Sequence, residues 1–318
     1  MPASRHRSPA SGRSPGKGRP RPRIGLDLGS GSARGWAHVG VIRALEEAGI
    51  RPDVVCGTSI GALVGAAYAA GELDRFEEWL LKLRMTDVLA FMDVHLNGGL
   101  IKGERLIAFF RENFLDRFLD QLDLPLGMVA TALHTGAEVW LREGSTIDAV
   151  RASIALPALF TPVVRDGEVL VDGGLVNPVP VSLARAMGAD VVIAVDLNTD
   201  LLGRHLREPP EKAKAPEQAA GDVSEWMRKL QENLSALIPE REPVPRLPSM
   251  LDVVASSINI MQVRISRSRM AGEPADAIVA PKLAHLGLLD FHKAKPAMEE
   301  GRRAVAAALP GIREVLGA

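Results

Sequence analysis

The sequence predicts an α/β fold of three layers: a mainly parallel central sheet with helices on both faces. Three observations carry that prediction. Short apolar runs at Ile24–Leu28, Val54–Cys56 and Val191–Val195 have the length of strands rather than helices. The first two each pass through a glycine-bearing turn into a helical run, and two successive strand–loop–helix units return the chain to a neighbouring parallel strand. Finally, 318 residues with 47% apolar and 24% charged side chains supply enough material for a large core.

Taken in order, residues 1–23 hold seven basic residues and no acidic one, so the remainder carries −8 of a net charge of −1. Pro, Ser and Gly fill the gaps, and the expectation is a disordered basic arm. It lacks the apolar stretch of a signal peptide, and no run approaches the ~18 apolar residues of a membrane span. A cytoplasmic location is expected, with any membrane contact peripheral. A core is expected over 24–200. Its first strand leads through Gly29–Gly35 to a helix with Val39, Ile42, Leu45 and Ala48 on one face and Gly49 as its stop. The second strand leads into a helix around Ala62–Tyr68. Further strands are expected at Met128–Leu133, Ala137–Leu141, Val169–Val171 and Val191–Val195, and helices at 73–84, 104–118, 146–154 and 181–188. From 201 to 248 the composition shifts to Pro, Glu, Lys and Ala, which predicts a mobile insertion. Trp226, Leu230, Leu234 and Leu237 recur there at helical spacing and predict one amphipathic helix. Over 249–318 the chain returns to the same domain, with apolar segments at 251–265 and 277–280 and a last helix at 294–309.

The chemistry centres on Gly57-Thr58-Ser59-Ile60-Gly61, a G-x-S-x-G between a strand and a helix. A strand that bends sharply into a helix at a serine needs glycines on both sides, and the bend lifts the hydroxyl to the helix N-terminus, where developing negative charge is favoured. This predicts a serine hydrolase. The glycine loop Gly29-Ser30-Gly31-Ser32-Ala33-Arg34-Gly35 offers backbone N–H groups for a phosphate or an oxyanion. No Walker lysine follows it, and the second strand ends in the serine turn rather than in a ribose-binding acid, so the oxyanion reading is preferred. For a base, Asp172-Gly173-Gly174 presents a carboxylate at the end of an apolar strand, although an ordinary β-turn reads the same way. His205, His285 and His292 follow Asp172 in the order an α/β-hydrolase triad requires. His38 reads as a packed helix residue. Cys56 is the sole cysteine, which excludes internal disulfides and cysteine-based metal sites. Nothing predicts a metal, a cofactor or a nucleic-acid partner.

The glycine loop, the Ser59 elbow, Ala152-Ser153-Ile154-Ala155-Leu156-Pro157 and Asp172-Gly173-Gly174, in that order, resemble the patatin-like phospholipases. The spelling Gly-Ser-Gly-Ser-Ala-Arg-Gly-Trp-Ala-His is similar to that of a bacterial, RssA-like branch. The resemblance implies a three-layer patatin-like fold and a lipid or other ester substrate. It also implies a Ser59–Asp172 dyad without histidine and an oxyanion hole drawn from Gly31, Ser32 and Ala33. Gly29, Arg34, Gly35, Gly57, Gly61, Gly173 and Gly174 support these motifs. Ser30 and Ser32 stand where the family expects glycine. An α/β-hydrolase triad esterase and a non-catalytic regulator that keeps the fold stay open as alternatives.

Overall fold

The computed structural model describes residues 21–91, 104–114, 116–157, 159–200 and 250–317. Most of the basic arm, and the expected amphipathic helix at 226–237, lie outside them. Arg21 and Arg23, which the sequence assigns to the arm, are already fastened to the sheet: Arg21 pairs with Asp53 at 2.6 Å, and the Arg23 amide donates to Asp190 at 2.8 Å.

Among the described residues, eight strands form one sheet: β1 (Ile24–Leu28), β2 (Val54–Thr58), β3 (Leu126–Ala132), β4 (Glu138–Leu141), β5 (Val163–Arg165), β6 (Glu168–Asp172), β7 (Val191–Val195) and β8 (Ala277–Val279). The run β3-β2-β1-β7-β8 is parallel, while β4, β5 and β6 pair antiparallel. The helices are α1 (Ala37–Glu47), α2 (Ile60–Ala69), α3 (Leu73–Lys82), α4 (Met85–Phe91), α5 (Glu104–Asn113), α6 (Thr146–Ser153), α7 (Val181–Ala186), α8 (Met250–Gly272) and α9 (Ala294–Leu316). The central strands read as unbroken apolar runs because both faces are covered. Leu26, Val55 and Ile193 pack with α1, α2, α6 and α9, while Val54, Cys56, Val192 and Ala194 pack with α7.

The arrangement of β3 positions the site. Met128 and Val129 pair with β2 on one edge and β4 on the other, whereas Ala130 and Thr131 pair with β6 and β4. The strands β2 and β6 therefore lie in succession along the same edge of β3 and meet end to end. Thr58 sits opposite Val129 and Asp172 opposite Ala130, so two loops far apart in sequence emerge at consecutive residues of one strand.

The structure departs from expectation in four places. A hairpin joins β5 to β6 through Asp166 (φ 52°) and Gly167 (φ 82°), the left-handed pair a two-residue turn demands. The short α4 was not anticipated. The helix expected over 104–118 closes at Asn113, whose side-chain amide donates to the Phe109 carbonyl at 2.9 Å. The last helix runs past Pro310 to Leu316 rather than stopping at 309; the backbone bond lost at proline is offset by the full burial of Ile312 two residues on. Among the described residues no helix is long and apolar enough to cross a membrane.

Candidate active site

The bend between β2 and α2 forces Ser59 to φ 57°, ψ −124°, a conformation that costs a non-glycine residue on the order of 1–3 kcal/mol. Neighbouring groups hold it there. The Ser59 amide donates to Ser153 Oγ at 2.9 Å, and that hydroxyl donates to the Val129 carbonyl at 2.6 Å. Gly57 and Gly61 permit the close crossing: a Cβ on Gly61 would fall 1.9 Å from the Leu28 carbonyl oxygen, and one on Gly57 would fall 2.6 Å from the Ala62 amide.

Asp172, at the end of β6, is fully buried. Its Oδ2 accepts from Ser59 Oγ at 2.5 Å and its Oδ1 from the Gly174 amide at 2.7 Å. Thr131 Oγ1 donates to its carbonyl at 2.8 Å. Burial pushes the Asp172 carboxyl up to about 6, against the pull of the Ser59 and Gly174 hydrogen bonds, which favour the ionised form. Loss of water thus brings this carboxylate closer to the proton affinity a general base needs at neutral pH. Gly173 leaves no room for a side chain, since a Cβ there would lie 2.2 Å from the Val129 carbonyl oxygen.

The glycine loop caps the same end of the sheet. Gly29 and Ser30 donate their amides to Val195 O (3.1 Å) and Pro178 O (2.8 Å), and Ala33 donates to Leu288 O (3.2 Å). Of the three oxyanion candidates, the amides of Gly31 and Ser32 keep no intramolecular acceptor among the described residues. Ser32 occupies φ 53°, the left-handed region a glycine would favour, and its hydroxyl donates to Leu288 O at 2.7 Å. Arg34 is buried, with Nε donating to Gly31 O at 3.2 Å and Nη2 to Asn259 Oδ1 at 2.9 Å. Burial lowers its pKa to about 10, with Asp200 holding against that, so it stays charged and orders the loop from within. Gly35 packs under the Ile60 side chain.

His38 is packed: burial lowers its pKa to about 4, and the neutral ring donates from Nε2 to Gly29 O at 2.8 Å. Neither His38, His285 nor His292 makes a hydrogen bond to Ser59, and His205 lies outside the described residues. Asp27 is buried on the far face beside Cys56, where burial raises its pKa well above the usual carboxylate range despite the attraction of Arg185. Among the described residues no cluster of three His, Cys, Asp or Glu side chains is placed to hold a metal.

Two features escaped the sequence reading. Ser153 has no task that its motif alone reveals, and it ties the elbow to β3. The other is a polar seam on α8: Asn259, Gln262 and Ser266 are buried, and Arg269 one turn on pairs with Glu138 at 2.7 Å. The spacing i, i+3, i+7, i+10 puts them on one face. Asn259 holds Arg34, and Gln262 Nε2 lies 2.5 Å from where a Cβ on Gly174 would stand. Glu138 in turn accepts from Asn177 Nδ2 at 2.8 Å, and the Asn177 carbonyl accepts from Thr58 Oγ1 at 2.9 Å, next to the elbow. The helix therefore braces all three loops. Polar side chains at that period inside an apolar run are the signal that marks it.

The family model described as patatin-like phospholipase matches residues 26–185. A protein of Mycobacterium tuberculosis (strain ATCC 25618 / H37Rv), described as an uncharacterized NTE family protein, is 31% identical over 344 residues, covering 92% of this chain and 93% of that one. Patatin-like phospholipase domain-containing protein 6 of Homo sapiens is 35% identical over 221 residues, which is 62% of this chain and 16% of that protein. Among solved structures, VipD from Legionella pneumophila covers 91% of this chain and 67% of its own at 13% identity, with a TM-score of 0.46. The matches identify a family and do not single out its RssA-like branch.

Proposed function

The chain belongs to the patatin-like phospholipase family, and from that premise we propose that it is a serine acyl hydrolase acting on carboxylic esters of lipids through a Ser59–Asp172 dyad. The observation that carries the reading is the 2.5 Å bond from Ser59 Oγ to a buried carboxylate, made from a strained elbow at a helix N-terminus. In the proposed reaction Ser59 Oγ attacks the ester carbonyl as its proton passes to Asp172 Oδ2. The oxyanion is held by the Gly31 and Ser32 amides; Ala33 could join only by releasing Leu288. Collapse expels the alcohol, which takes the proton from Asp172. Water then attacks the acyl-enzyme as its proton passes to Asp172, and collapse releases the free acid while that proton returns to Ser59 Oγ. This chemistry requires no cofactor.

An ordinary carboxylate is a weak base toward a hydroxyl, and three features reduce that deficit: burial of Asp172, its short bond to Ser59, and the fixed geometry that spares reorganisation. If the substrate is a bilayer phospholipid, membrane contact by a cytoplasmic protein of this kind would be peripheral. Hydrolysis of p-nitrophenyl butyrate by wild type, Ser59→Ala, Asp172→Asn and the double variant tests the proposal. Each single change should lower kcat by on the order of 10³ or more, with the double variant little worse, because members of one catalytic unit are strongly non-additive. Near-wild-type turnover in either folded single variant would defeat it, and an inactive wild type would favour the regulator.

A further inference from the structure

We propose that the apolar cavity between α2 and α6 is an acyl pocket that sets the chain length of the substrate, an inference that rests on the hydrolase reading above. On α2 and its C-cap the cavity is lined by Leu63, Ala66, Ala67 and Ala70, spaced i, i+3, i+4 and i+7, so one face of the helix forms its wall. Ser59 precedes Leu63 by four residues, at the N-cap from which α2 and its stripe begin. The opposite wall belongs to α6, where Thr146, Ile147 and Val150 continue at the same period to Ser153. Since the Ser59 amide and Ser153 Oγ are joined by the 2.9 Å bond, the two helices meet at the elbow, and the first lining residues of the cavity, Leu63 and Val150, stand about one helical turn from it.

Its dimensions give a length. From Ser59 to Leu63 is about 6 Å along the helix, the reach of roughly four or five acyl carbons. The cavity beyond measures about 40 Å³, room for roughly three groups of water size at 10–15 Å³ each. The sum is an acyl chain of about eight carbons. Three alanines on the α2 wall leave the space. Phe76, Phe110 and Phe114 close it, packed on one another with ring centroids 5.5 to 6.3 Å apart. Polar groups stand at the far end as well: Glu72 lines it, and Thr146 Oγ1 is buried with no hydrogen-bond partner among the described residues, so a longer chain would meet atoms it cannot satisfy.

The test compares p-nitrophenyl butyrate, octanoate and dodecanoate with purified full-length wild type, Ala67→Leu and Phe114→Ala, each checked for a cooperative thermal transition. Ala67→Leu adds three carbons to the cavity, and each methylene denied its place should cost about fourfold in kcat/KM. The octanoate-to-butyrate ratio should therefore fall at least tenfold. Phe114→Ala opens the floor and should raise the dodecanoate-to-octanoate ratio at least fivefold; it carries the test if the leucine variant does not fold. Ratios within twofold of wild type in the folded variants would overturn the pocket while leaving the dyad intact. Failure of wild type to hydrolyse any of the three esters would overturn the hydrolase reading, and this inference with it.

Discussion

Ser153 offers a sharp test because its hydroxyl touches backbone and no reacting group. In Ser153→Ala the Ser59 amide loses its acceptor and the Val129 carbonyl loses a donor, both in a region where Ser153 itself is fully buried. Leaving a buried N–H unpaired costs roughly 1–3 kcal/mol. The elbow, already strained by a similar amount, then loses one of the contacts that hold it at φ 57°. A net loss of about 2 kcal/mol corresponds to a Tm lower by roughly 3 °C for a chain of 318 residues. If the same amount is lost from the positioning of Ser59 Oγ, kcat falls about 30-fold while KM for a short ester changes little. Differential scanning calorimetry and steady-state kinetics on one preparation read both numbers. Wild-type kcat in the folded variant would refute the argument that this bond holds the nucleophile.

The remaining predictions concern pH and the membrane. With Asp172 at about 6, its base form is lost below that pH, so kcat/KM should fall tenfold per pH unit on the acid side of an inflection near 6; a profile flat down to pH 4.5 would exclude this carboxylate as the base. The same shift predicts a stability effect. The folded pKa lies above the ordinary value of 3.8, so the penalty for the buried charge is absent below 3.8, grows as pH rises, and is complete above 6. Asp172→Asn should therefore be more stable than wild type at pH 8 by up to about 3 kcal/mol, with the gain shrinking toward pH 4, as thermal melts at the two pH values would reveal. Finally, the five basic residues of 1–20, which precede the fastened Arg21 and Arg23, should strengthen sedimentation with anionic vesicles at low salt and not at high salt, without altering hydrolysis of a soluble ester. Equal sedimentation of full-length and arm-deleted protein would reduce the arm to a solvated tail.

What the sequence made legible is what neighbouring residues decide. The elbow could be read because its glycines, serine, strand and helix are contiguous, and a Cβ at Gly61 would meet a backbone carbonyl. Asp172 stood out only as an acid at a strand end. That it meets Ser59 depends on β2 and β6 sharing one edge of β3, a pairing of segments over a hundred residues apart that no local pattern encodes. Resemblance supplied that link in advance. The Asp166-Gly167 turn was available as a signal, but the three-residue β5 beside it was too short to read as a strand. The α8 seam was hidden for the opposite reason: Asn259, Gln262 and Ser266 interrupt an apolar run, and their burial makes sense only once Arg34 and the Asp172 loop are seen beneath them. Likewise Pro310 reads as a stop until the burial of Ile312 is known.

The central claim is that Ser59 becomes acylated with Asp172 as its base. Mass spectrometry of the protein quenched during turnover of p-nitrophenyl butyrate tests it most directly. The account predicts a butyryl adduct on the peptide containing Ser59 in wild type, with none formed on the same timescale in Asp172→Asn. Steady hydrolysis by wild type with the adduct on another residue, or an adduct that forms equally fast without Asp172, would contradict it.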